Sequence, residues 1–129
     1  FGSHVAYTMA KFGMSLCVLG MAEEFKKQGV AVNALWPRTA IATAAVRNSL
    51  GGEEVMNISR SVEIMGDAAH VILTKPSRKF TGNFCIDDNL LAENGMKDFS
   101  LYAKVPFNKL APDFFVPDDF PPPKASLES

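Results

Sequence analysis

Gly29-Val30-Ala31-Val32-Asn33-Ala34-Leu35-Trp36-Pro37 is a near-continuous apolar run that a proline closes. A run without strict alternation is the pattern of a parallel strand buried on both faces. Pro37 has no amide proton to give and stops it. Upstream, Met9, Phe12, Leu16, Leu19 and Phe25 recur mostly at spacings of three or four, which predicts a helix over 4–28. Met14, Cys17, Val18 and Met21 fill much of its remaining circumference, so the helix is expected to be buried on more than one side. Gly29 suits the left-handed position just past such a helix.

Downstream of Pro37, a loop leads into a weak helical stretch over 43–50 that Gly51-Gly52 interrupts. Ser61 reads as an N-cap with Glu63 in the favourable first turn. Val62, Met65, Ala69, Ile72 and Leu73 then make an amphipathic helix that ends before Pro76. A second short strand is expected over 80–86. Helix–strand–helix–strand order with apolar strands predicts an α/β fold with a parallel sheet. The stretch 106–129 holds six of the eight prolines, so 98–129 is expected to be an extended, partly disordered tail behind a domain of 1–97. Phe114 and Phe115 are expected to pack onto the domain, and Pro121-Pro122-Pro123 to be polyproline-like.

With 129 residues the chain suffices for one small domain, and its net charge of −1 carries no basic stripe. Neither nucleic acid nor an anionic membrane surface is an expected partner. The run 5–22 is apolar enough to raise the question of a membrane span, but Lys11 lies within it and a charge at mid-bilayer is costly. Cys17 and Cys85 have no C-x-x-C or metal-like spacing and are expected to be small buried hydrophobes in a reducing compartment. His4 and His70 have no partner at a ligand spacing, so no metal site is expected. Trp36 is expected to pack in the core. The chain begins with Phe1 rather than Met, and it reads as a piece of a longer protein.

Tyr7 and Lys11 share one helix face, four residues apart. A neighbouring ammonium favours a phenolate. A phenol so placed can give a proton to a carbonyl oxygen or take one from an alcohol. The same two residues would also suit a core tyrosine beside a lysine that snorkels to water. The motif has company, however. The order Tyr7-Thr8-Met9-Ala10-Lys11, a long apolar helix, Gly29-Val30-Ala31-Val32-Asn33, then Pro37, Ile41 and Thr43 resembles the short-chain dehydrogenase/reductase family. Phe80-Thr81-Gly82-Asn83, leading to Asp87, resembles that family's last strand. The resemblance covers about 1–90. Within the family, Leu35 to Thr43, Gly20 to Phe25 and Pro112-Asp113-Phe114-Phe115 look most like the hydroxysteroid dehydrogenase-like and bacterial citronellol/citronellal dehydrogenase-like members. Met14, at the seventh position after Tyr7, argues against the enoyl-reductase branch.

The resemblance implies the C-terminal half of a Rossmann-type doubly wound parallel sheet. It implies an NAD- or NADP-dependent oxidoreductase that interconverts an alcohol and a carbonyl. Tyr7 would be the acid/base. Lys11 would activate it and hold the nicotinamide ribose, and Pro37, Ile41 and Thr43 would line the cofactor. Arg38 stands where the family usually has glycine, the spacing from Pro37 to Thr43 is one residue longer than the common form, and Asp88-Asn89 replaces glycines. The glycine-rich turn and the catalytic serine of the family would lie upstream of Phe1. Ser3 is too near Tyr7 to be that serine, and the stretch alone is expected to be inactive. Ala44, Ala45, Val46, Leu50, Val55, Met56 and Ile58 populate the segment over 43–60 that covers the site in this family, so a lipophilic substrate and a mobile lid are expected. A homo-oligomer through the helix 4–28 is expected as well. The implied location is the cytoplasm in a bacterium, or mitochondria or peroxisomes in a eukaryote. The rival expectation is a non-catalytic interaction module that keeps the helix for dimerisation.

Overall fold

The computed structural model describes residues 2–117 and 119–129. Its elements in chain order are α1 (Val5–Glu24), β1 (Ala34–Trp36), α2 (Ala44–Ser49), α3 (Gly52–Asn57), α4 (Glu63–Thr74), β2 (Phe84–Ile86), α5 (Asp87–Glu93) and α6 (Lys124–Leu127), with 3-10 turns at Ser100–Tyr102 and Phe107–Lys109. The two strands form one sheet. The bonds Gly82 N to Val32 O (2.8 Å) and Ala34 N to Asn83 O (2.8 Å) advance in the same direction along both strands, as parallel pairing requires. The chain divides into two compact units: one runs up to Ala34 and includes Ile72–Phe84, the other comprises Leu35–Val71 and Cys85–Ser129.

In the first unit, α1 forms where the apolar periodicity places it. It stops at Glu24, and Gly29 takes its left-handed conformation (φ 75°) after four turn residues. Only Val18 and Ala22 are buried; Met9 is 71% and Leu16 68% exposed. This corrects the expectation of a helix buried on several sides. The unit supplies only 25–34 and 72–84 to cover twenty helical residues, and Ala22 meets that cover at Gly82. Cys17 lies one position off the Val18–Ala22 stripe and is exposed, against expectation, while Cys85 is buried. Asn33 interrupts the apolar run for a reason. Its amide nitrogen donates to Phe80 O (3.0 Å), and its oxygen accepts from the backbone (3.1 Å) and side-chain (2.9 Å) nitrogens of Asn83. The polar residue thus latches the approach to β1 onto the approach to β2. Both strands are shorter than expected, and β1 is half-buried rather than buried on both faces, since each strand has one hydrogen-bonded neighbour among the described residues.

In the second unit, Thr43 caps α2 by accepting from Val46 N (3.4 Å), and Gly51 (φ 121°) turns the chain into α3. A Cβ at Gly51 would lie 2.3 Å from Val55 Cγ2, so both the backbone conformation and the space demand glycine. Arg47 pairs with Glu53 across the turn at 2.7 Å. The stretch 98–129 is built into this unit rather than trailing from it, with Phe99, Tyr102 and Ser126 buried. The prolines that suggested an extended tail cap its short helical turns. Pro106 (φ −64°) precedes Phe107–Lys109 and Pro123 (φ −66°) precedes α6, where a fixed φ and a missing donor cost nothing. Phe114 stays largely exposed, whereas Phe115 is half-buried.

Tyr102 closes the unit's core with a polar tip. Its hydroxyl donates to Asp67 Oδ2 at 2.6 Å, and burial followed by the Asp67 carboxylate pushes the phenol well above its ordinary range. Tyr102→Phe keeps the ring and leaves the exposed Asp67 carboxylate to water, so the loss of one net hydrogen bond should destabilise the protein by about 0.5–1.5 kcal/mol. An unchanged chemical-denaturation midpoint would show that the bond contributes nothing.

Candidate active site

Tyr7 and Lys11 lie on the first turns of α1, where no proline or glycine breaks the helix. The Lys11 ammonium sits 5.4 Å from the Tyr7 ring centroid, and the tyrosine is 47% exposed. The i, i+4 spacing therefore holds a cation against a phenol on a face open to a ligand. Both residues belong to the first unit, whereas Pro37, Ile41 and Thr43 belong to the second.

The loop bearing those three is clamped along both edges. Ala40 N donates to Ala111 O (2.9 Å) and Asp113 N to Arg38 O (3.0 Å) on one side. On the other, Arg60 N donates to Ala40 O (2.9 Å) and Ala42 N to Arg60 O (2.8 Å). Pro37, Ile41 and Thr43 are half-buried within this frame, and the Thr43 hydroxyl is engaged as the cap of α2.

Beside the loop lies a buried ionic cluster. Arg38 Nε donates to Asp88 Oδ1 (3.1 Å), and Arg60 Nη1 to Asp88 Oδ2 (3.2 Å). Ser126 Oγ donates to the same Oδ2 (3.0 Å) and accepts from Arg60 Nη2. Asp87 Oδ1 accepts from the backbone nitrogens of Arg38 (2.9 Å) and Asp88 (2.7 Å). Among the described residues, Asp87 Oδ2 and Arg60 Nε are buried without a hydrogen-bond partner. Arg60, Asp67, Tyr102 and Ser126 went unnoticed in the sequence. Its one available signal was the Asp87-Asp88 pair directly after an apolar strand, since two buried carboxyls require cations from elsewhere. Above α3, a cavity of about 290 Å³ is lined by Ala42, Met56, Leu101 and Ala103, with Arg47 and Lys104 among its polar groups. Among the described residues no group of three His, Cys, Asp or Glu could hold a metal ion.

No protein-family model matches the chain. Over 90% of its length it is 60% identical to hydroxysteroid dehydrogenase-like protein 2 of Bos taurus. It is 57% identical to the protein of that name in Mus musculus and 54% identical to the one in Homo sapiens, each over 94% of the chain. It spans only 27%, 24% and 28% of these three relatives. A solved structure from Xanthomonas campestris, described as a dehydrogenase, superposes with a TM-score of 0.81 at 50% identity, over 91% of this chain and 42% of that one. This chain is homologous to the short-chain dehydrogenase/reductases. A short-chain dehydrogenase from Mycobacterium thermoresistibile agrees, with a TM-score of 0.74 at 49% identity over 91% of this chain and 43% of the other. The parallel β–α–β order is accordingly that of a partial Rossmann-type sheet, as a short-chain dehydrogenase requires.

Burial, and then the neighbouring Asp88, push the Asp87 carboxyl from the ordinary 3.8 up to about 6. The folded protein thus binds this proton more tightly than the unfolded chain. The associated stability is full below pH 3.8 and is lost as pH rises through about 6. Its slope is at most about 1.4 kcal/mol per pH unit. Asp87→Asn keeps the Oδ1 acceptor and removes the titration. The difference in unfolding free energy between wild type and variant should therefore change between pH 4 and pH 6. A difference that stays constant across that window would place the titration elsewhere.

Proposed function

We propose that the complete protein is an NAD- or NADP-dependent oxidoreductase that interconverts an alcohol and a carbonyl on a lipophilic substrate. The observation that carries this is the Tyr7–Lys11 pair on one exposed helix face. The Tyr7 hydroxyl gives a proton to the carbonyl oxygen in reduction and takes it from the alcohol in oxidation. The Lys11 ammonium, 5.4 Å from the ring centroid, stands beside the phenol as the proton moves. Its remaining donors suit the vicinal hydroxyls of a ribose, and an exposed ammonium beside a phenol is a donor set that fits a nicotinamide nucleotide. The framed loop offers Pro37, Ile41 and Thr43 as an ordered wall for that cofactor, and α2 and α3 are the proposed lid. When bound, the nicotinamide supplies or accepts the hydride.

Ala42, Met56, Leu101 and Ala103, the apolar part of the cavity lining beside α3, support a lipophilic substrate. The exposed thiol of Cys17 supports a reducing compartment: the cytoplasm of a bacterium, or mitochondria or peroxisomes of a eukaryote. The exposed apolar residues of α1, Met9, Met14, Leu16 and Leu19, support a homo-oligomer through this helix. The same exposed residues are what a purely interactive module would need, so they favour that second reading as strongly. By length and composition α1 could also cross a membrane. Lys11, the seventh of its twenty residues, would place a charge within the span, which is costly.

In the complete protein, Tyr7→Phe should lower kcat by about a hundredfold or more while the cofactor Kd stays within about twofold. Lys11→Ala should impair both turnover and cofactor binding. Retained turnover in Tyr7→Phe would favour the interaction module. Separately, Met14→Glu together with Leu16→Glu should dissociate the oligomer in light scattering. A wild type that is already monomeric would remove α1 from any subunit contact.

A further inference from the structure

We propose that Arg38 is a positioning residue: it ties the loop 37–43 to the C-terminal segment 111–126, so that cofactor affinity depends on that segment being docked. The inference rests on the proposed role of 37–43 as a cofactor wall.

Arg38 is 7% exposed, and all three nitrogens of its guanidinium are engaged inside the second unit. Nε donates to both oxygens of Asp88 (3.1 and 3.3 Å), and Nη1 donates to Phe120 O (2.7 Å). Nη2 donates to Asn89 Oδ1 and to Pro121 O (3.3 Å), and the guanidinium stands 5.6 Å from the Phe120 ring centroid. With all three nitrogens engaged this way, Arg38 acts on the loop and not on a ligand. Its own backbone carries the coupling onward: the amide donates to Asp87 Oδ1 (2.9 Å) and the carbonyl accepts from Asp113 N (3.0 Å).

The second edge of the loop leads to the same place. Arg60, whose backbone pairs with Ala40 and Ala42, reaches Ser126 through its guanidinium, and Ser126 closes back onto Asp88. Both edges therefore terminate in 111–126. A planar fork is required to address a carboxylate, an amide oxygen and two backbone carbonyls in different directions, and a lysine ammonium cannot reproduce it. The segment is thus part of the loop's support, and its release would loosen residues 38–43.

The test uses the full-length protein as wild type, Arg38→Lys and Phe120→Ala. Hydrogen exchange at 38–43 and fluorescence titration with NADH and NADPH are the readouts. Arg38→Lys should speed exchange at 38–43 by about tenfold. It should also raise the cofactor Kd by about fivefold or more, with kcat at saturating cofactor within about twofold. Phe120→Ala should move both readouts the same way by less, and since its side chain is 46% exposed it keeps the test valid if Arg38→Lys does not fold. Unchanged exchange at 38–43 in the folded variants overturns the inference, whatever the cofactor does. Faster exchange with an unaltered Kd overturns it too and leaves the proposed function standing. A wild type that binds neither nucleotide instead removes the proposed function, and with it the claimed dependence of cofactor affinity.

Discussion

Asp88 sits in the first turn of α5, out of contact with water, and spends both carboxylate oxygens on groups from three distant parts of the chain: Arg38 after β1, Arg60 before α4, and Ser126 in α6. Taking an ion out of water costs several kcal/mol, so such a cluster is tolerable only when complete. Removing one member strands a charge, at a cost of about 3–5 kcal/mol. The second unit is therefore organised around a condition that all its segments must satisfy together. The apolar residues that pack nearby, Phe99, Leu90 and Leu91, exclude the water that would otherwise relax that condition.

The adjacent Asp87 has a different environment. Its oxygens face two backbone amides but no cation at hydrogen-bond distance, and one of them has no hydrogen-bond partner among the described residues. Two neighbouring carboxyls at the end of one strand thus divide the work. One carries charge for the cluster, while the other holds the start of the Arg38 loop through a backbone contact and keeps its proton more readily. Only an arrangement of this kind lets two acidic residues in sequence be fully buried side by side.

Local signals in the sequence were legible where neighbours along the chain decide the outcome. The long helix, the left-handed Gly29 and the parallel strand pair all depend on residues within a turn or on simple apolar runs. The Tyr7–Lys11 face was legible for the same reason, since helix geometry alone brings i and i+4 together. The fate of 98–129 was not. Proline content indicates where φ is fixed, not whether a partner waits elsewhere, and the partners of this stretch include Arg38, Ile58, Arg60 and Asp88. The burial of α1 was misjudged because an apolar surface signals what could be covered, and the first unit covers only the Val18–Ala22 stripe.

The separation between Arg38 and Phe120, 82 residues along the chain, also bears on how the protein acquires its structure. Closing so long a loop costs conformational entropy that no nearby contact repays, so such pairings form late and slow the approach to the native state. Until α6 arrives with Ser126, the Arg38–Asp88–Arg60 core lacks a member, and the aromatic rings over Arg60 have no closed site to occupy. A nascent chain is thus left for a time with unpaired strand edges and exposed phenylalanines. Residues 119–129 are made after the groups they pair with, and their arrival helps to end this vulnerable interval, which makes the unit a natural client for chaperones during synthesis.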